Sequence, residues 1–575
     1  MADAQNPSLT PVGKIISVLL VLGLLALGGY VMWSRTQPAA KQFITPTATV
    51  QPGAAPANVG RPAATPAPAE SALLTEVPRL AASAPFQVKD NTIEIELSNY
   101  PGYSGLIAAN NGLAPNQDSI FFKKHGFKVK ITLSEEESWS ALNSGRLAAS
   151  ATTADVLAVY GKQLNVVVPA QIGYSRGADG IVVTTDITRI NQLRGKTLAT
   201  GQFTEAEFFI RYLAQEAGVQ VAYLDDLNAR PNPDKINLFF SEDAFAAGDL
   251  FLAELQAGSN RLAGCITWAP KTTEVAEGSA GKAKLLVTNR NLLIIADVLI
   301  VNKPFAEANP KMVGGLTEGL LEGNRMVRGN PDAYLDLLVK AFNTGVKEAD
   351  KTDRASMKRE LEKVHLSNLP ENLAFFSGDM ASGGSFAGIY SSAVLAYGSM
   401  IRDPVDSERF ANIQPLKDMQ AAGLFAGEQI VIQPVKTVGG QALETDPLLS
   451  KDIRFFFEPN SSRLEMGNSD NIKNLKDIQR MLQVSPGSKV LLRGHVDNAR
   501  VAEFRKQGGE AMVRQMSLDA MKLSKNRADE VRKQLLDGYK VEAARLDTIG
   551  RGWEEPSGSE ADKNRRVEVY WFTLE

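Results

Sequence analysis

The run Ile15–Trp33 contains no charged residue and lies between Lys14 and Arg35, with Tyr30 and Trp33 near one end. Roughly 20 apolar residues cross a bilayer as a helix, and aromatic residues favour its interfaces. A signal-peptide core is shorter, about 7 to 15 residues, and is followed by a small-residue cleavage site that this stretch lacks. The expectation is therefore a single uncleaved transmembrane helix over 15–33, with residues 1–14 as a short tail. Residues 36–85 are rich in Ala, Pro, Thr and Gln, with Pro38, Pro46, Pro52, Pro56, Pro62, Pro66 and Pro68. Such a composition buries too little apolar surface to fold and favours extended conformers. It reads as a tether, averaging about 40 Å end to end as a coil and stretching beyond roughly 100 Å when extended. Whatever folds must lie after it.

The chain has 575 residues, enough for two to four domains at roughly 100 to 200 residues each. Its 62 Lys and Arg against 65 Asp and Glu leave a net charge of -3, so no overall basic field calls for nucleic acid. Cys265 is the single cysteine and His125, His365 and His495 the only histidines. An intramolecular disulfide and a clustered zinc site are both excluded, while carboxylate-only metal sites stay open. No metal or cofactor is expected. Neither a Ser/His/Asp order nor a paired-carboxylate motif stands out, which argues against an enzyme.

Near the carboxyl end four segments occur in order. Phe455-Phe456-Phe457-Glu458-Pro459-Asn460-Ser461-Ser462-Arg463-Leu464 comes first, then Gly494-His495-Val496-Asp497-Asn498, Leu523-Ser524-Lys525-Asn526-Arg527-Ala528, and Asn564-Arg565-Arg566-Val567-Glu568-Val569. Around them, Ile453–Phe457 and Lys489–Arg493 read as strands, as do Leu546–Ile549 and Val567–Phe572. Ile472, Leu475, Ile478 and Leu482, and then Leu523, Ala528, Val531 and Leu535, recur near the helical period. Together they predict a small α/β sandwich over 451–575. His495 reads as part of a turn, with no second His or Cys nearby to share a metal.

This segment resembles the OmpA-like peptidoglycan-binding domain, whose pattern is a Gly-His-Thr-Asp turn followed by Asn-x-x-Leu-Ser-x-x-Arg-Ala. In that family the positions matching Asp497 and Arg527 contact the peptide stem. The resemblance implies that Asp497 and Arg527, with Asn498 beside them, bind peptidoglycan through its diaminopimelate stem. That zwitterion suits a carboxylate for its ammonium and a guanidinium that forks onto its carboxylate. The sequence departs from the pattern at Val496 and Ala520. The interval between Asp497 and Arg527 is also longer, the extra residues falling within Arg500–Leu518, which include Gly508-Gly509. They read as a surface loop or a lengthened helix start. A wall-binding end places the bulk of the chain in the periplasm, with the inner membrane holding the single-pass anchor.

Residues 86–434 form the largest body. Asn91–Leu97 alternates as a strand, Leu106–Asn111 begins a helix, Gly126–Thr132 is a second strand and Trp139–Arg146 a second helix. Strands alternating with helices predict parallel α/β lobes. Leu292–Val301, apolar but for Asp297, predicts a buried strand returning to the first lobe. Pro310–Gly323, Pro331–Thr344 and Arg354–His365 read as amphipathic helices, Gly378–Gly388 as a tight loop or hinge, and 435–450 as a linker.

The order of Ser144-Gly145-Arg146-Leu147-Ala148-Ala149-Ser150, Gly195-Lys196-Thr197-Leu198-Ala199 and Thr267-Trp268-Ala269-Pro270 resembles the periplasmic solute-binding proteins of the nitrate, sulfonate and taurine class of ABC transporters. In that family the ligand lies between two lobes. The resemblance implies candidate ligand residues Tyr100, Tyr103, Thr152, Thr153, Ser175, Arg176, Thr204 and Trp268, with Asp179 close by. An oxyanion held by Thr152, Thr153 and a Thr204–Glu207 capping box, with Arg176 as counter-charge, is one expectation. Glu205 keeps a neutral or zwitterionic ligand in play.

Three functions compete. The first is a wall-tethered solute-binding protein for transport or sensing, partnered by a transporter or envelope complex. The second is an interaction head that has lost its ligand. The third is an enzyme, because thiamine-pyrimidine synthases share this fold; their cysteine-rich iron motif is missing here.

Overall fold

Buried Ile93, Ile95 and Leu97 alternate with half-exposed Thr92, Glu94 and Glu96, which makes Thr92–Leu97 a strand with one face on the core (β1). It is the first strand in a computed structural model that describes residues 76–573 except 135–137, 347–350, 379–383, 402–403, 433–447, 459–460, 486 and 559. Further strands are Lys128–Leu133 (β2), Ala149–Thr153 (β3) and Val166–Ser175 (β4). The helix Ala154–Tyr160 (α1) follows β3 directly.

The chain then crosses into a second sheet made of Asp179–Thr184 (β5), Thr197–Gly201 (β6), Val221–Leu224 (β7), Ile236–Ser241 (β8), Gly264–Trp268 (β9) and Ala283–Thr288 (β10). The helix Glu205–Glu216 (α2) lies between β6 and β7. After β10 the chain returns as Ala296–Asn302 (β11) and Val364–Leu366 (β12). The first sheet is ordered β12-β4-β11-β3-β1-β2 and the second β10-β5-β9-β6-β8-β7. Two segments, 176–178 and 289–295, therefore join two α/β lobes.

β4 and β11 sit side by side in mid-sheet with every residue buried, which explains why the Leu292–Val301 stretch is so apolar. Only its second half is strand; Leu292–Ile295 forms a buried part of the crossing. The Asn289 side chain stitches the two crossings together. Its Nδ2 donates to the Ser175 carbonyl at 3.1 Å, and its Oδ1 accepts from the Gly177 amide at 2.7 Å.

Some sequence expectations shift. The helix expected over Arg354–His365 ends at Leu361, because Val364–Leu366 pairs with β4. The last three residues of the expected Gly378–Gly388 loop are helical. Ser385 caps Phe386–Tyr397 (α3) by accepting from the Gly388 amide.

The C-terminal domain has a sheet ordered β13-β16-β14-β15, formed by Leu449–Ile453 (β13), Ser488–Gly494 (β14), Leu546–Gly550 (β15) and Val567–Thr573 (β16). Its helices are Ser469–Val484 (α4) and Val501–Tyr539 (α5). β13 lies four residues before the strand expected over Ile453–Phe457. Its pairing with β16 ends at Ile453, and Phe457 makes only an isolated bridge to Leu464. The aromatic run is thereby released from the sheet. The extra residues Arg500–Leu518 lengthen the start of α5, which breaks at Gly508-Gly509; Gly509 has φ +62°, a conformation that favours glycine.

This domain docks on the second lobe and on its crossing segment. The Arg480 guanidinium of α4 pairs with the fully buried Glu216 carboxylate of α2. The Leu293 amide donates to the Val484 carbonyl at 2.6 Å and the Ser450 amide to Asn191 Oδ1 at 2.9 Å. The Ile15–Trp33 run lies outside the described residues. Among the described residues no helix is long and apolar enough to cross a membrane.

Candidate functional site

Two glycines set the geometry of the C-terminal cleft. Gly494 and Gly550 are register partners at the ends of β14 and β15. A Cβ on Gly494 would stand 2.0 Å from the Ser524 carbonyl oxygen, and one on Gly550 2.5 Å from that of Met521. Without side chains there, α5 lies directly on the strand ends. The Ser524 hydroxyl donates to the Met521 carbonyl at 2.8 Å and accepts from the Gly552 amide at 2.9 Å, which locks the contact. Arg527, one turn further along, is thereby carried over the cleft.

Asp497 and Arg527 line one cavity of about 610 Å³. Arg527 lies 5.0 Å over the Phe457 ring, part of the aromatic run that leaves the sheet. Its Nε is sealed from solvent and has no hydrogen-bond partner among the described residues. Burial and the neighbouring Arg565 guanidinium push the Arg527 guanidinium below its ordinary range, against the pull of Asp497. Asp497 accepts from Arg565 Nε at 2.7 Å and from the Ala499 amide at 3.2 Å. Asn498 is exposed and is not part of the cavity lining.

The sequence reading assigned no role to Arg565, although it lies within the Asn564-Arg565-Arg566 segment. Phe504 was missed as well: it comes from the lengthened start of α5 and stacks on Trp553 at 6.2 Å to form another wall. A cleft with a carboxylate, unsatisfied guanidinium capacity and aromatic walls suits a zwitterion on a peptide.

Beneath the cleft, His495 is buried with its Nε2 3.2 Å from Glu568. Burial alone would raise the Glu568 carboxyl, but His495 and Arg566 hold it down at about 2. His495, Glu555 and Glu568 bring ligand atoms within 4.8 Å of one another, a spacing that a metal ion accepts. Arg493 instead donates to both Glu568 and Glu555 at 2.6 Å, and Arg566 also pairs with Glu568. The guanidinium groups supply the positive charge there, and the cluster is a structural ion network.

At the junction of the lobes, the Tyr100 and Tyr103 rings meet edge to face at 5.4 Å. The Tyr103 hydroxyl donates to Asp297 Oδ1 at 3.1 Å. Asp179 accepts from the Ser175 hydroxyl and, at 2.9 Å, from Asn289 Nδ2. Asp155, in the first turn of α1, is fully buried. Burial, far more than any neighbour, pushes the Asp155 carboxyl up to about 7 and that of Asp179 to about 6. Burial and then the Asp179 charge drive Asp297 well above the ordinary carboxylate range. Thr152 and Thr153 are buried, and neither hydroxyl has a hydrogen-bond partner among the described residues.

The expected oxyanion cradle is not assembled. The Thr204 hydroxyl donates to the Gly201 carbonyl at 3.1 Å rather than capping α2, and Glu207 is drawn into a buried pair with Arg211 at 2.8 Å. Glu207 also accepts from the Phe203 amide at 2.7 Å, one residue before the N-cap Thr204, so the capping box is not formed. Arg176 donates through Nε to the Arg290 carbonyl at 3.0 Å. Trp268 closes β9, half-buried against Phe245 at 5.0 Å. Asp155 and Asp297 were not among the expected ligand residues. The available signal was Asp297 itself, a single acid inside an apolar run.

Comparison with known proteins agrees with this division of the chain. The OmpA family profile matches residues 456–569. Outer membrane protein Omp38 of Acinetobacter baumannii, from two strains, is 27% identical over 150 residues, which is 25% of this chain and 37% of that protein. The chain thus spans little more than a third of the length of these curated relatives.

Among solved structures, the alkanesulfonate-binding protein SsuA from Xanthomonas axonopodis pv. citri, bound to MOPS, aligns with 14% identity and a TM-score of 0.40 over 57% of this chain and 99% of its own. The aliphatic sulphonate binding protein SsuA from Escherichia coli aligns with 15% identity and a TM-score of 0.42 over 62% and 99%. The nitrate-binding protein NrtA from Synechocystis PCC 6803 gives 12% identity and a TM-score of 0.40 over 58% and 89%. The profile match and the cleft built on Gly494, Asp497 and Arg527 coincide, and residues 456–569 form an OmpA family domain.

Proposed function

We propose that this chain is a cell-envelope receptor that grips the diaminopimelate-bearing stem of peptidoglycan with its C-terminal cleft and presents a two-lobed solute-binding body. Asp497 takes the ammonium of the stem, keeping its bond to Arg565, and Arg527 takes the carboxylate. In this reading Ile15–Trp33 anchors the protein in the inner membrane, the tether expected over 36–85 stops short of Leu80, whose amide donates to Gln163 Oε1 at 3.1 Å and fixes the chain to the first lobe, and the folded bulk lies in the periplasm, serving transport or sensing. The observation that carries the wall-binding part is that Arg527, with a sealed and unpartnered Nε, lines the same cavity as Asp497. A buried guanidinium left short of partners is costly unless a ligand completes it.

Sedimentation of the full-length protein with purified sacculi tests this. Asp497→Ala and Arg527→Ala should each abolish pull-down while the thermal melt stays cooperative; undiminished pull-down of the double variant refutes the assignment. Cell fractionation tests the anchor: removing residues 1–35 should release the protein from the membrane fraction.

For the lobes, the supporting observation is the set of buried, unpartnered polar groups at their junction, joined by two crossing segments. An interaction head without a ligand has no use for such groups. A thermal shift of the full-length chain against a broad metabolite panel separates the two, a shift supporting the receptor.

A further inference from the structure

Asp155, Asp179 and Asp297 come from three different places in the chain and meet where the lobes join. Asp155 opens α1 in the first lobe, Asp297 lies in the returning β11, and Asp179 is the first residue of β5 in the second lobe. All three are at least 97% buried, the largest remaining exposure being 3%. Among the described residues no Lys, Arg or His forms an ion pair with any of them. The charges that act on them are one another's: Asp179 on Asp155, and Asp179 and Asp155 on Asp297. Glu205 adds a fourth carboxylate whose field reaches Tyr100, Tyr103 and Tyr397.

Polar groups in the same place lack partners. Among the described residues neither oxygen of Asp155 is in a hydrogen bond; the Thr153 hydroxyl and its own amide lie near enough to favour its ionised form without reaching bonding geometry. Thr153 stands directly opposite Asp297 in the β3–β11 pairing, so both side chains leave the same face of the sheet, and its buried hydroxyl is also unpartnered. The Tyr100 hydroxyl, 7% exposed as a residue and within the field of Asp297 and Asp179, has no partner either. Buried polar groups are nearly always satisfied, so a cluster that is not marks a place where something else completes the bonds.

We propose that the junction of the lobes receives a small organic cation, a solute bearing an ammonium group, with Asp155, Asp179 and Asp297 as its counter-charges. The proposal deepens the receptor reading and rests on it. An ammonium supplies donors to acceptors that have none, and the aromatic rings of Tyr100 and Tyr103 suit a cation. A bare metal ion fits less well. The only described group of three or more His, Cys, Asp or Glu residues whose ligand atoms fall within 4.8 Å of one another is His495, Glu555 and Glu568, so the three aspartates are too spread to close on a single ion. An anion such as a sulfonate or nitrate would meet the buried carboxyl groups of Asp155, Asp179 and Asp297.

Isothermal titration calorimetry of the full-length chain at pH 8 tests the proposal, with ethanolamine, choline and putrescine as cationic probes, methanesulfonate, ethanesulfonate and nitrate as the contrast, and calcium as the metal. At least one cationic probe should bind, and Asp155→Asn and Asp297→Asn should each weaken it by about 30-fold or more, the usual consequence of removing one partner from a buried charge pair. Circular dichroism melts establish that each variant is folded, and either variant alone suffices if the other is not. Binding of an anionic probe or of calcium with no binding of the cations overturns the cation while leaving the receptor reading intact. Binding of cations undiminished in both variants overturns the site. No binding by any probe, together with no thermal shift across the metabolite panel, overturns the receptor reading and this proposal with it.

Discussion

In the C-terminal cleft Asp497 remains 22% exposed at the side chain and holds Arg565, which is itself 51% exposed, whereas between the lobes Asp155 is fully buried with neither oxygen hydrogen-bonded. The first arrangement is wet and mixed in sign, so its charges are screened and inexpensive to keep. The second is dry and of one sign, so each ionised group lowers the stability of the unliganded fold. In the proposed reading the C-terminal cleft offers a geometric match that is already stable, while the lobe junction holds destabilising charge that a cation would relieve.

The largest effect that sharpens this contrast is at Asp155. Its carboxyl is raised to about 7 when folded and titrates near 3.9 when unfolded. Below about pH 4 both states carry the proton. Between about 4 and 7 the unfolded chain has released it and the folded chain has not, so stability falls as pH rises through this window and is flat above it. Asp155→Asn should therefore be more stable than the parent at pH 8, by on the order of 3 kcal/mol, with the gain vanishing near pH 4. The groups facing the residue are the Thr153 hydroxyl, Asp297 of the same lobe, Asp179 across the junction, and Tyr397 from α3. Chemical denaturation of both proteins at a series of pH values measures the difference, and a gap that does not change with pH would break the comparison.

Next in size is Gly494→Ala. Its Cβ would meet the Ser524 carbonyl at 2.0 Å and must displace α5 from the strand end. A loss of about 2 kcal/mol is expected from overpacking, accompanied by weaker sacculus binding because Arg527 moves with the helix. Denaturant melts and co-sedimentation read the two together. The smallest effect is at Asp497→Ala, where losing a partly exposed ion pair should cost under about 1 kcal/mol of stability even as wall binding disappears. A large drop in its melting temperature would mean that Asp497 is structural and the cleft is not pre-stabilised.

The two sites also differ in how far they were legible in the sequence. Asp497, Arg527 and Arg565 each sit inside a short local segment, and the position of the family's Thr is taken by Val496, which is 8% exposed and lines the cleft. What could not be read was the strand boundary: Phe455-Phe456-Phe457 has strong strand propensity, yet its rings are used by the cleft and β13 forms upstream. The lobes were legible as α/β from alternation in β1 and the apolar run ending in β11. Their site was not, since Asp155, Asp179 and Asp297 carry no shared local pattern and meet only through the antiparallel return of β11 between β3 and β4. Thr204 and Glu207 show the same limit. The spacing of a capping box was present, but buried Arg211 competed for the carboxylate.

The direct seating of α5 on Gly494 and Gly550 has a consequence for the lengthened stretch between Asp497 and Arg527. The aspartate is placed by the end of β14, and the arginine by the glycine contacts that lie after the inserted residues. Neither position is measured along the intervening chain. Residues can therefore be added before Ser524, and bent outward at Gly508-Gly509, without resetting the distance between the two gripping groups. The insert is free to contribute a wall of its own through Phe504.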